Sequence, residues 1–421
     1  MSRQPFGSAR QSRRAAVAAL AVAFLAAGCS TKADTAATSV SGSVKVDVGV
    51  TDSVIRLGVL TDRTGPFAPA GKAVEQGRTL FWEKHGKICG RTVEFVTKDH
   101  KYTTTGASAA YAELRGDVLA LDELLGTPVI YALQKDIEAD RMTTLAAAFG
   151  SDLLANENIV IVGATYDIEM INAVGHLVKA EGLARGDKIG HIYHEGPYGE
   201  NAAAGSRAAA ADAGLQLVEQ KVKPTDADLT AQVTALKAAG VKAVLLTTSS
   251  AQTGSAVGVA ATSGFDVTFL GSNPTFSSAL LAGPAKDAVL RNFLVVQSGA
   301  PFGAPEPGPT RVREAFKARF PDDPKSGYVL YGYAQQEIMA GALEAACAKG
   351  DLTRAGLATA VQSLTSVQTD GLLPTLDYGT QGGIPTRQTR ILKPDAAVEG
   401  GLTEVRAPFT EPLAATYQPG A

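Results

Sequence analysis

The chain has 421 residues, enough for two or three domains. Hydrophobic residues make up 45% and charged residues 19%, a mix that supplies buried cores and excludes a wholly disordered chain. The balance of 39 basic against 42 acidic residues gives a net charge of −3 and argues against a nucleic-acid binder, and three cysteines are too few for a disulfide-stapled miniprotein.

The N-terminus reads as an export signal. Arg3, Arg10, Arg13 and Arg14 precede Ala15–Ala27, thirteen residues without a polar side chain. That run is too short to span a bilayer and fits the apolar core of a signal peptide. It ends in Leu25-Ala26-Ala27-Gly28-Cys29, which resembles a bacterial lipobox, although Ala26 stands where Leu is preferred. Residues 1–28 are therefore expected to be removed and Cys29 to carry lipid. The mature chain keeps 35 basic and 42 acidic residues, a net charge of −7. Residues 29–53, rich in Ser, Thr, Ala, Val and Gly, read as a flexible tether. No later segment reads as a transmembrane helix.

From Val54 onward strand and helix patterns alternate. Strands are expected over 54–60, 91–96, 118–124 and 158–162, with helices over 72–85, 108–115 and 131–141 between them. A second series follows, with helices over 168–181, 201–213, 229–239 and 253–263. Its strands fall at 188–193, 215–223, 241–247, 267–270 and 293–297. Two such series imply two lobes with parallel sheets, and in open α/β sheets ligands bind beyond the carboxyl ends of the strands. Residues 300–309 form a Pro/Gly-rich loop, helices follow over 311–320 and 331–348, and 370–393 reads as short strands and turns. The tail after Pro394 carries no clear pattern.

Catalytic motifs are absent. Gly65 to Gly71-Lys72-Ala73 is one residue too long for a phosphate-binding loop, and Ala73 stands where a hydroxyl must reach a metal. His191 and His194 lie three apart along a strand, so their side chains face opposite ways and do not make a metal pair. No metal, cofactor or enzyme activity is expected. Two thiols remain after Cys29, Cys89 and Cys347. In an exported protein two leftover thiols most often pair, the alternative being two separate buried thiols.

The ordered set of segments resembles a known family. It comprises Ile55-Arg56-Leu57-Gly58-Val59-Leu60 with Thr64-Gly65-Pro66, Gly90-Arg91-Thr92-Val93-Glu94-Phe95, Leu125-Gly126-Thr127-Pro128, Lys188-Ile189-Gly190-His191-Ile192-Tyr193 with Tyr198-Gly199, residues 231–240, and Tyr331-Gly332-Tyr333-Ala334. Together they are similar to the branched-chain amino-acid (Leu/Ile/Val) receptors of ABC importers, which have the type 1 periplasmic binding-protein fold. The resemblance implies an α/β chain of two Rossmann-like lobes joined by a three-crossover hinge. Lobe one would be 54–166 plus 299–375, lobe two 167–298 plus 376–395, and 396–421 a C-terminal tail. It also supports a Cys89–Cys347 disulfide.

Carried over residue by residue, the family's ligand contacts fall on Thr127 and on Ala148, Phe149 and Gly150 for a carboxylate. Tyr198 falls where the family has an aromatic contact, Tyr166 at the first crossover, and Ser249 where an aromatic is common. The loop after the strand ending at Leu270 departs from the pattern. Amino-acid receptors have an acid there to pair with the ligand ammonium, whereas here the equivalent is Asn273, and a neutral amide holds an ammonium less well. Glu195, Glu200 and Asp167 are the candidate substitutes. The implied protein is a monomeric, lipid-anchored extracytoplasmic solute-binding protein. It captures a small polar metabolite (amino acid, amide or small carboxylate) for an ABC-transporter permease. The alternative is a ligand-sensing lipoprotein of the same fold.

Overall fold

The computed structural model describes residues 44–420. Strand β1 (Lys45–Val46) is followed by β2 (Val54–Thr61), α1 (Ala68–His85), β3 (Thr92–Asp99), α2 (Thr104–Leu114), β4 (Ala120–Leu125), α3 (Thr127–Asp140), β5 (Thr144–Ala147) and β6 (Ile159–Ile161). Strands β2 to β6 form a parallel five-stranded sheet in the order β3-β2-β4-β5-β6. β4 is buried at all six positions, as expected of a central strand covered on both faces.

The chain then crosses to a second lobe through α4 (Tyr166–Ala180), β7 (Lys188–His194), α5 (Pro197–Ala213), β8 (Gln216–Val222), α6 (Thr230–Ala239), β9 (Ala243–Thr247), α7 (Ser250–Thr262), β10 (Thr268–Gly271), α8 (Lys286–Asn292) and β11 (Phe293–Gln297). It returns to the first lobe for α9 (Pro307–Arg319), α10 (Gly327–Ala348), β12 (Asp351–Leu352) and α11 (Arg354–Gln362). A third crossing delivers β13 (Thr389–Pro394), β14 (Leu402–Phe409) and α12 (Pro412–Thr416). The second sheet runs β14-β13-β11-β10-β9-β7-β8, parallel except where β13 pairs antiparallel with both neighbours. This is the type 1 periplasmic binding-protein fold.

Three details differ from the sequence expectations. β5 is a strand of only four residues, too brief to show an alternating pattern. Of the expected tether, the described part is ordered: β1 pairs parallel with β12, Lys45 N donates to Gly350 O at 2.9 Å, and Val50 is buried. The tail beyond 395 is also structured. β14 extends the second sheet and α12 packs on α4, with Asn172 Oδ1 accepting from Glu411 N at 2.8 Å. Outward charges on β14 break the hydrophobic alternation that would have marked it.

Helices α1 and α10 cross at backbone contact. A Cβ on Gly77 would lie 2.2 Å from Val329 O, and one on Gly332 would lie 2.3 Å from Val74 O. The pair packs over β2, β4 and β6 as one apolar core. Inside that core Arg78 donates to Asp122 (2.5 Å) and to Glu123, all three being buried. Thr61 donates to Glu123 and Gln336 to Asp122. Two acids share one cation, and burial pushes the Glu123 carboxyl up to about 7. Cys89 and Cys347 form a disulfide with Cα atoms 6.2 Å apart, closing the end of α10 onto the turn before β3. Cys29 and the signal segment lie outside the described residues.

Candidate functional site

The loops at the carboxyl ends of β4, β5 and β10, with the first turns of α4, α5 and α10, meet around a chain of cavities. Two inner cavities are narrow, about 60 and 40 Å³, and share Phe149, Asn273, Tyr328 and Tyr331 in their walls. An outer, wider cavity of about 550 Å³ adjoins them at Phe67, Pro274 and Tyr328.

Each wall residue is placed by a local rule. Thr127 opens α3 directly after Gly126, which requires glycine: its φ is +106°, and a Cβ there would lie 2.6 Å from the Tyr102 ring. Phe149 follows β5 and stacks edge-on against Tyr166 at 5.6 Å and Tyr331 at 5.5 Å. Tyr166 packs on Tyr198 at 4.7 Å. The phenols anchor on the frame: Tyr331 donates to Ala146 O (3.0 Å), Tyr328 donates to Asn273 O (3.2 Å), and Tyr198 shares a hydrogen bond with Ser272 Oγ (2.9 Å). The Tyr328 bond joins the first lobe to the second. Burial holds all these phenols protonated.

Glu169, in the first turn of α4, is buried in this wall. Its carboxyl accepts from Asn273 Nδ2 at 3.0 Å and Asn273 N at 3.3 Å. No cation reaches it, and burial pushes it up to about 8, so it is neutral at pH 7. Asn273 Oδ1 is buried without a partner. Neither inner cavity is lined by Lys, Arg or His. Arg63 and Lys72 line only the outer one. Among the described residues no group of three His, Cys, Asp or Glu is placed to hold a metal, and no helix is long and apolar enough to cross a membrane.

Of the residues singled out from sequence, Thr127, Phe149, Tyr166, Tyr198 and Asn273 line the inner cavities. Ala148, Gly150 and Ser249 do not. Ala148 is fully buried in the first lobe, and Gly150 backs onto Asp152 and Thr127. Ser249 is the N-cap of α7, its hydroxyl accepting from Gln252 N in a capping box. The three candidate acids are also elsewhere: Glu195 is exposed, Glu200 pairs with Lys221 and Arg207, and Asp167 accepts from Ser151 at 2.5 Å. The missed wall residues include Tyr102, Glu169, Tyr328 and Tyr331. Glu169 sits in a helix whose first turns are buried on every side, so its acid looked like one of many solvent-facing charges.

Two sheet-and-helix lobes thus wall a cleft lined by aromatic rings, hydroxyls and one buried carboxyl. A family model described as "Periplasmic binding protein" matches residues 54–399, and the chain belongs to that family. Its members are non-enzymatic ABC-transporter substrate-binding proteins of the leucine/isoleucine/valine-binding type, which bind small ligands on the extracytoplasmic side and work with permeases. Among solved structures, a fatty acid ABC transporter substrate-binding protein from Thermomonospora curvata is 40% identical, with a TM-score of 0.86 over 89% of this chain and 97% of that one. A branched-chain amino-acid ABC transporter protein from Thermus thermophilus with bound valine is 22% identical, with a TM-score of 0.76 over 87% of this chain and 98% of that one. A leucine-binding protein from Thermotoga maritima is 17% identical, with a TM-score of 0.74 over 85% and 99%. These last two share the fold. No curated protein sequence matches the chain.

Proposed function

We propose that this protein captures an apolar-chain carboxylic acid, or a simple derivative of one, between its lobes for an ABC importer. The observation that carries this reading is the wall of the cleft. It joins Phe and Tyr rings and aliphatic carbons to uncharged Ser, Thr, Asn and Gln groups and the buried Glu169 carboxyl, with no basic residue inside, which suits an alkyl chain with a small polar head better than the small polar metabolite expected from sequence. The outer cavity continues the apolar surface through Phe67, Pro274 and Phe276, giving a chain room to extend. The fatty acid for which the 40% identical relative is named supports the same reading.

Fluorescent-probe displacement with acids of six to eighteen carbons, against leucine, isoleucine and valine, tests it. Displacement by the longer acids is expected; displacement by the amino acids alone refutes it. One observation favours the amino-acid reading: Glu169 is a carboxyl group in the cleft, where an ammonium would need one. Export through residues 1–28, lipidation at Cys29 and hand-over to a permease complete the proposal, with signalling to a membrane partner as the competing role. Release of a Cys29→Ala variant into the soluble fraction supports the anchor, and unchanged membrane retention removes it. A monomeric elution volume is expected with and without ligand.

A further inference from the structure

Resting on the reading that the cleft takes an apolar-chain acid or derivative, we propose that the Glu169–Asn273 pair selects an uncharged head group. The head both donates and accepts a hydrogen bond: a protonated carboxylic acid or a primary carboxamide. The argument is one of unmatched groups. Glu169 accepts from Asn273 through both oxygens. In its neutral form it also carries an O–H, and none of its hydrogen bonds in the described structure uses that proton. Asn273 Oδ1 beside it is buried with no donor. The site therefore offers one donor and one acceptor together, and the ligand group that satisfies both presents a carbonyl to Glu169 and an O–H or N–H to Asn273. A buried polar atom left unmatched is costly, so the pairing discriminates.

Charge leads to the same assignment. An ionised carboxylate placed here would meet Asn273 Oδ1 and Glu169 with no cation in either inner cavity to offset it. The surroundings of Glu169 supply none. On α4 itself Asp167 acts on it and disfavours its ionisation, while His176 and Lys179 lie on later turns. From α5 comes the neutral phenol of Tyr198; Glu200 and Arg207 pair with one another, and Asp212 is exposed. From β13, Arg390 is committed to Glu404 and Glu306, and Lys393 is exposed. β9 and β11 carry no charged side chain, nor does α12, and Glu411 at its cap pairs with Lys179 and Arg406. Tyr328 of α10 is a neutral phenol bonded to Asn273 O. Burial keeps Glu169 protonated to about pH 8.

The test is calorimetric titration of the intact chain with decanoic acid and with decanamide from pH 5.5 to 9. A carboxylic acid in water is ionised above about pH 5, so its capture as the neutral form takes up a proton. Its Kd should rise about tenfold per pH unit between pH 6 and 8. The amide's Kd should be flat over that range and should rise above about pH 8 as Glu169 ionises, a rise that Glu169→Gln should abolish. Decanoate affinity independent of pH from 6 to 8, with no amide binding, overturns the inference while leaving the fatty-acyl reading standing. Binding of neither compound overturns that reading itself. The wild-type titrations decide the matter even if the variant does not fold.

Discussion

Replacing Arg78 with Met should be among the most destabilising single changes in the first lobe. The guanidinium is buried, bonds to both Asp122 and Glu123, and lies 5.4 Å from the Phe95 ring centre. Met conserves most of the aliphatic stem but leaves two buried carboxyls without a cation, and Asp122 Oδ1 already lacks a partner. Breaking a buried pair by removing one member costs about 3–5 kcal/mol, or about 10²–10⁴-fold in the unfolding constant. The loss must also depend on pH. With the cation gone both acids are driven to their neutral forms, so the penalty is largest at high pH and shrinks as protons become available. Urea unfolding of the disulfide-intact protein at pH 7.5 and pH 5 measures both quantities. Adding Asp122→Asn and Glu123→Gln should return at least half of the loss. A variant within 1 kcal/mol of wild type at pH 7.5, or one hurt more at pH 5 than at pH 7.5, would refute the reasoning.

Wild-type stability should itself fall as pH rises from about 6.5 through 8, where the buried histidines, whose values are held below the ordinary imidazole range, are neutral in both folded and unfolded chains. Glu123 and Glu169 have folded-state values of about 7 and 8, above their ordinary carboxylate range, so their contribution is complete below about 4.5 and lost above; thermal melts across pH 5 to 9 check this. Changing both Cys89 and Cys347 to Ser opens a loop of 258 residues and should cost about 2–5 kcal/mol, read as a lower urea midpoint. Tyr328→Phe removes the bond from α10 to Asn273 O across the cleft. At about 0.5–1.5 kcal/mol for one neutral hydrogen bond, ligand affinity should drop by about two- to tenfold. Gly332→Ala forces apart the crossing of α1 and α10 and displaces the turn that carries Tyr328 and Tyr331. Both stability and affinity should fall, whereas Ala on the exposed Gly116 should change neither, by melting and titration of the same samples.

The repeating strand–helix pattern made both lobes legible, because parallel strands buried on both faces read as apolar runs and their helices as periodic ones. The features that escaped are those where tertiary context outweighs local pattern. β5 is only four residues, Thr144 to Ala147, held by its neighbours rather than by propensity. β14 carries outward charges and is placed by pairing with β13. In the cleft, Thr127, Tyr166 and Asn273 were legible through the family resemblance, which carries ligand contacts to loops after strand ends. Ser249 follows a strand end equally well, yet its hydroxyl is consumed by capping α7, a competition that position alone does not reveal. Glu169 and Tyr328 lie in the first turns of α4 and α10, and only packing shows that those turns face the cleft.

The first lobe is assembled from two stretches of chain, and this has a consequence in time. Its sheet is complete at Ile161, but α10, which covers one face of it and carries the second cysteine, ends only at Ala348. The intervening residues separate the two parts in the order in which the chain emerges. The second lobe's β7 to β11 all emerge within that interval. The earlier-made lobe thus waits for the later-made one, with Ile55, Leu57 and Val160 uncovered until the final helix arrives. Chains truncated before residue 327 should expose that face as a sticky, chaperone-dependent intermediate.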